Sequence, residues 1–120
     1  MPVIDVCWVG ALAADADVLA QRLADVVGDV LGVEPGRVWV RLVQLPASHY
    51  AENGGHLQGP LPLFVRVLHA HPPAGKALQA EIAALTTALA SASGRPAERV
   101  HLEYAPAGAG RIAFGGRLAG

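Results

Sequence analysis

Proline at position 2, directly behind Met1, is the residue with the most chemistry to offer. Inside a chain, proline is a tertiary amide with no basic nitrogen. At a free N-terminus it is a secondary amine, and a methionine ahead of so small a residue is readily removed in cells. Apolar neighbours such as Ile4 disfavour the charged ammonium and lower its pKa. A neutral amine near pH 7 takes a proton from a carbon beside a carbonyl and returns it elsewhere, which is keto–enol tautomerisation. The same amine can condense with a carbonyl to an iminium or, when protonated, serve as an acid.

A second constellation lies near the C-terminus. Arg99 to Ala105 alternates, with His101 and Glu103 on one side and Val100, Leu102 and Tyr104 on the other. A histidine and a carboxylate on one face can orient each other and polarise a carbonyl or place a water; the plainer reading is a solvated strand. His69 and His71 stand two apart with no third ligand at metal spacing, so no metal site is expected. Cys7 is the lone cysteine and reads as a small buried apolar residue. The glycines of Gly108-Ala109-Gly110 precede no helix and make no phosphate loop, and His56 reads as solvated.

The elements that must carry these residues come in two copies. Pro2 to Trp8 reads as a strand. Asp15 and Asp17 favour a helix start, and Val18, Leu19, Leu23, Val26, Val27, Val30 and Leu31 recur at helical spacing. Gly32 supplies the stop. Arg37 to Val43 alternates as a strand, and Asn53, Gly54 and Gly55 mark a turn. The pattern then restarts: a strand over Leu63 to His69, a helix opened by Pro72-Pro73 with Leu78, Ile82, Leu85 and Leu89 as its stripe, a stop at Gly94, the strand Arg99 to Ala105, and Gly115-Gly116 at the close. Arg-Val-X-Val at 37–40 returns as Arg-Val-X-Leu at 99–102, so the repeat is roughly 60 residues. Two βαβ units predict a two-layer α/β domain over 1–120, with pseudo-repeats 2–59 and 60–120, a four-stranded sheet and two helices.

Composition bounds what such a domain does. The 120 residues carry a net charge of −1, which gives no electrostatic footprint for nucleic acid. No apolar run is long enough for a membrane span, and the N-terminus lacks signal-peptide character, so a reducing, cytoplasmic setting is expected. Hydrophobic residues make up 52% and charged residues only 16%, low for so small a chain. Two helices cover one sheet face only. The other face carries Trp39 and part of the strand 63–69, which is apolar on both sides, so association of copies through that face is expected.

The Met-Pro start combined with the doubled βαβ unit resembles the tautomerase superfamily. The first half is similar to 4-oxalocrotonate tautomerase over Pro2, Arg37-Val38-Trp39-Val40 and Pro46-Ala47-Ser48-His49-Tyr50 up to Gly54-Gly55. The whole chain is similar in length to the macrophage migration inhibitory factor group, with Val67-Leu68-His69-Ala70-His71 and Glu98-Arg99-Val100-His101-Leu102-Glu103 as the matching stretches. The resemblance implies a homotrimer with inward-facing sheets, no cofactor, and active sites at subunit boundaries around Pro2. It implies a small-molecule carbonyl substrate. His71, His101 and Glu103 fall at substrate-binding positions, and Tyr50 at a pocket aromatic.

Departures from the family bear on the substrate. Val33 and Trp39 stand where family cations bind substrate carboxylates, and Ala11-Leu12 replaces a third. Arg111 is the leading substitute, Arg41 the second. Glu52 is similar in setting to the water-activating glutamate of cis-3-chloroacrylic acid dehalogenase, but in the first repeat rather than the second, and His69 and His71 fall near that enzyme's paired arginines. The leading expectation is a cofactor-independent tautomerase with Pro2 as general base. The alternatives are a catalytically silent trimeric binding or structural protein, a hydratase, dehalogenase or decarboxylase of the same superfamily, and an unrelated ferredoxin-like binding module.

Overall fold

The computed structural model describes residues 2–55 and 59–120, so Met1 and His56 lie outside the described residues. Strand β1 (Val3–Val9), helix α1 (Ala16–Leu31) and strand β2 (Trp39–Leu45) form the first βαβ unit. Strand β3 (Leu63–Leu68), helix α2 (Gly75–Ser93) and strand β4 (Val100–Tyr104) form the second. A hairpin of β5 (Ala113–Phe114) and β6 (Arg117–Leu118) follows. The four long strands make one sheet in the order β2-β1-β3-β4. Each unit pairs its own strands in parallel, and β1 and β3 join the units antiparallel.

Local sequence explains each boundary. In α1, Leu19, Leu23 and Val27 are buried at steps of four, and Gly32 closes the helix at φ 64°. The Gly32 N–H donates to Asp29 and the Val33 N–H to Gly28, a Schellman cap. In α2, Leu85, Leu89 and Ala92 are buried, and the Gly94 N–H donates to Ala90 in the simpler left-handed cap. Helix α2 begins at Gly75 rather than at the proline pair. Ala74, which follows the proline pair, is still extended at φ −133° and ψ 162° and serves as the N-cap position. Strand β2 likewise starts at Trp39, because a turn in which the Arg37 N–H donates to Glu34 holds the preceding residues.

The core lies between sheet and helices. Ile4, Val6 and Trp8 from β1, Leu63, Val65 and Val67 from β3, and Val100 from β4 meet the buried stripes of α1 and α2. Trp8 donates its indole N–H to the Ala11 carbonyl at 2.9 Å, so its polar atom is satisfied. The Arg95 guanidinium lies 4.5 Å from the centre of the Trp8 ring and donates from Nη1 to the carbonyls of Leu61 and Pro62, just ahead of β3.

No layer of this chain covers the opposite sheet face. Val43, Trp39 and Phe64 there are 64%, 47% and 41% exposed. The third strand is therefore buried on one side only within a single chain, with Phe64 and Arg66 open. Both glycine pairs close hairpin turns. Gly115 and Gly116, both at positive φ, form the two-residue loop between β5 and β6, and Asn53-Gly54 is closed by a bridge between Glu52 and Gly55. Phe114 packs edge-on against Trp39 at 4.7 Å, which docks the final hairpin beside β2. Among the described residues no helix is long and apolar enough to cross a membrane.

Candidate active site

The candidate residues fall into three groups along the sheet. At one end stands Pro2. It is buried, and its carbonyl accepts the Trp39 N–H at 3.1 Å. The β1–β3 register ends on the pair Val3 and Leu68, so its next step sets Pro2 opposite His69. His69 Nε2 lies 2.9 Å from Glu81 Oε2, and the Tyr104 hydroxyl donates to the same oxygen at 2.5 Å. The His69 and Tyr104 rings stack at 6.0 Å. Burial, and then the bond to Glu81, pushes the Tyr104 hydroxyl well above the usual phenol range. His71 is exposed and its Nε2 sits 2.7 Å from the main-chain oxygen of Gly120. Arg111 is exposed and has no ion pair among the described residues. It shares with Leu68, Pro106 and Arg66 a recess of about 370 Å³.

Across the middle of the open face runs a row of charges. Arg41, Asp5, Arg66 and Glu103 are successive register partners on β2, β1, β3 and β4. Arg41 donates from Nε and Nη2 to both Asp5 oxygens, at 2.6 and 2.8 Å. Arg66 Nη1 donates to Glu103 Oε2 at 3.2 Å. The signs alternate and cancel, so both candidates in the row, Arg41 and Glu103, are engaged within the sheet.

The third group gathers at the far end. Glu52 Oε2 accepts from the Tyr50 hydroxyl at 2.7 Å and from Arg99 Nη2 at 2.9 Å. Arg99 also donates from Nε to the Pro60 carbonyl. The Tyr50 bond first, and then the Arg99 bond, hold the Glu52 carboxyl below the usual range. The bond to Glu52 likewise raises the Tyr50 hydroxyl and the Arg99 guanidinium. Phe64 links the cluster to His101, with ring centres 6.0 Å from Tyr50 and 5.3 Å from His101.

Strand alternation does put His101 and Glu103 on one face, but they do not engage each other: His101 lies on Phe64 and Glu103 on Arg66. Nor does His101 reach Pro2 in the same chain. It is level with Cys7, 7 − 2 = 5 residues along β1 and two strands over. That is about 17 Å along the strands and about 10 Å across them. Three side chains of these clusters are not among the candidates read from the sequence. Arg99 stands in the repeated Arg-Val step and in the matched stretch Glu98 to Glu103, without a role of its own. Glu81 carried a signal: it is the only acid of α2, three residues after Leu78 and four before Leu85, on the apolar stripe. Tyr104, its hydroxyl donor, read only as a core position. Among the described residues no group of three or more His, Cys, Asp or Glu is placed to hold a metal ion.

No family model matches the chain, and no curated protein matches it. Solved structures do. Pt0534 inactivated by 2-oxo-3-pentynoate aligns at a TM-score of 0.75 with 23% identity, over 98% of this chain and 94% of that one. A fused 4-OT (4-oxalocrotonate tautomerase) in a symmetric trimer aligns at 0.74 with 18% identity, over 98% and 94%. A macrophage migration inhibitory factor homologue from Prochlorococcus marinus aligns at 0.73 with 19% identity, over 98% and 99%. These neighbours are tautomerase-superfamily proteins. The doubled βαβ architecture read from the repeat, and its resemblance to that superfamily, are therefore both found in three dimensions: this chain has the tautomerase fold.

Proposed function

We propose that the chain is a cofactor-independent tautomerase or isomerase of a small carbonyl compound, with the Pro2 amine as general base once Met1 is lost. One observation carries the reading. Pro2 is buried at the start of β1 and anchored by its carbonyl, at the rim of a sheet face that a single chain leaves bare. Burial favours the neutral, proton-accepting amine over the ammonium.

In this reading the protein is a homotrimer, as the fused 4-OT neighbour is. The exposed Val43, Trp39 and Phe64 would be covered by neighbouring subunits. The separation of Pro2 from His101 then has a purpose. A neighbour's far-end cluster of Tyr50, Glu52, Arg99 and His101 would complete the site that Pro2, His71 and Arg111 begin. Arg99 is the cation best placed within that cluster, and Glu52 already occupies one of its nitrogens, so the site suits a carbonyl compound of modest negative charge. A half-buried single cysteine fits the reducing, cytoplasmic setting of this reading.

A hydratase of the same superfamily is the second reading, favoured by Glu52. A carboxylate held ionised by Tyr50 and Arg99 can orient an attacking water.

The test is an intact-mass measurement followed by an assay with enol pyruvates on wild type and Pro2→Ala. Loss of Met1 and a collapse of kcat/KM in the variant are expected. A retained Met1, or equal rates, would remove Pro2 from the mechanism and leave the silent binding protein.

A further inference from the structure

Resting on the reading of Pro2 as a free amine, we propose that His69 takes the proton that would otherwise keep this amine charged, with Glu81 and Tyr104 fixing and charge-balancing its ring.

Glu81 is the starting point. It is an acid on the apolar stripe of α2, 15% exposed in its side chain, and among the described residues no lysine or arginine pairs with it. A carboxylate there needs compensation. Its Oε2 accepts the Tyr104 hydroxyl hydrogen, and the same oxygen faces His69 Nε2. A carboxylate only accepts, so Nε2 carries the hydrogen and, in the neutral ring, Nδ1 carries the lone pair. His69 Nδ1 has no partner among the described residues. It is not sealed in the core either, since no buried side-chain nitrogen or oxygen among the described residues lacks a partner. The acceptor belongs to the residue that follows Leu68, the β1–β3 register partner of Val3, and Pro2 immediately precedes Val3, so one further step of the register would bring the two backbones together at about 5 Å between Cα atoms. Both residues share the parity of the core-facing positions Ile4 and Val67.

The proton balance is simple. One N–H bond of the prolyl ammonium breaks and its electron pair stays on the proline nitrogen. A new N–H bond forms at His69 Nδ1, and the resulting imidazolium lies against Glu81. This repeats the order of nucleophile, histidine and orienting carboxylate that activates other weak bases. The other charged groups around the ring stand off. Lys76 is exposed in the first turn of α2, Arg111 is exposed after β4, and His71 is turned onto Gly120. The Asp5–Arg41 and Arg66–Glu103 pairs lie on the opposite sheet face. His69 is therefore a positioning residue for Pro2, and its signature is a pH profile.

The test uses 2-oxo-3-pentynoate, a conjugated ynone, on the full chain. The amine nitrogen adds across the triple bond, its proton passes to the adjacent carbon, and the N-terminal peptide gains the whole reagent mass. No turnover is needed. The labelling rate is followed by mass spectrometry across pH. Wild type labels at Pro2 already at neutral pH. In His69→Gln and Glu81→Gln the rate at neutral pH falls about tenfold, the midpoint rises by about one pH unit, and the rates rejoin wild type at high pH. A profile unchanged from wild type overturns the proposal, as does a rate lowered equally at every pH. Where Glu81→Gln fails to fold, His69→Gln carries the test with the same two outcomes. A wild type that never labels at Pro2 overturns the proposed function and this inference together; a labelled wild type with unshifted variants overturns this inference alone.

Discussion

Asp5 lies between two arginines: Arg41 is its register partner on β2 and Arg66 its register partner on β3. Arg41 takes both carboxylate oxygens, while Arg66 leans to Glu103. Asp5→Ala leaves Arg41 without its acid, while Arg66 keeps Glu103. In an open monomer the effect on stability is small, because exposed pairs are screened. If the face is buried between subunits, the unpaired Arg41 guanidinium resists assembly. Asp5→Ala is expected to raise the concentration at which the oligomer dissociates at least tenfold, read by light scattering over a dilution series. The double variant Asp5→Ala/Arg41→Ala is expected to recover part of the loss.

The bare face itself gives a second expectation. Val43 is 64% exposed although it is a β-branched strand residue. Val43→Asp adds a charge where an apolar contact is expected and disturbs nothing in the core. It should yield a folded monomer with unchanged far-ultraviolet circular dichroism. An intact trimer in this variant would place the subunit contact elsewhere.

The far-end cluster is testable by titration. Tyr50 and Arg99 hold the Glu52 carboxyl below its usual range. A depressed pKa means the cluster stabilises the fold above the ordinary carboxylate range and loses that contribution as pH falls through the lowered midpoint. Carbon-detected NMR of Glu52 should show this midpoint. Tyr50→Phe should move it up the most, and Arg99→Ala should move it in the same direction.

Two substitutions test the packing. Leu23→Ala removes a fully buried side chain between α1 and the sheet and should cost about 2–5 kcal/mol in chemical denaturation. Gly10→Ala should be destabilising for a different reason. Gly10 sits at φ 91°, which a residue with a side chain rarely adopts, so backbone strain carries the cost, while the added Cβ need only push aside the end of the Leu61 side chain.

Much of the fold was legible because local signals agreed. The stops at Gly32 and Gly94 are left-handed caps that few other residues adopt, and the alternation in 37–43 and 99–105 matches the half-open sheet. The entry to α2 was less legible, since Pro72-Pro73 permits a helical first turn but does not require one, and the extended Ala74 delays the start to Gly75. The site was legible as residue types and not as contacts. His101 with Glu103, and Arg41 as a spare cation, were sound from one strand at a time. Register then gave Glu103 to Arg66 and Arg41 to Asp5. Glu52 with Arg99, and His69 with Glu81, are pairs 47 and 12 residues apart, and no local pattern announces such partners.

The two βαβ units are also unequal at their starts. Pro62 stands immediately ahead of β3 as Pro2 stands immediately ahead of β1. Yet the Pro62 nitrogen is bound to Leu61 in a peptide link, and its carbonyl is held by Arg95. Its place inside the chain bars Pro62 from amine chemistry, whereas loss of Met1 would make Pro2 an amine. In an assembly of three such chains, six strands would be led by proline, and only the three led by Pro2 could carry an ionisable proline nitrogen, once Met1 is lost.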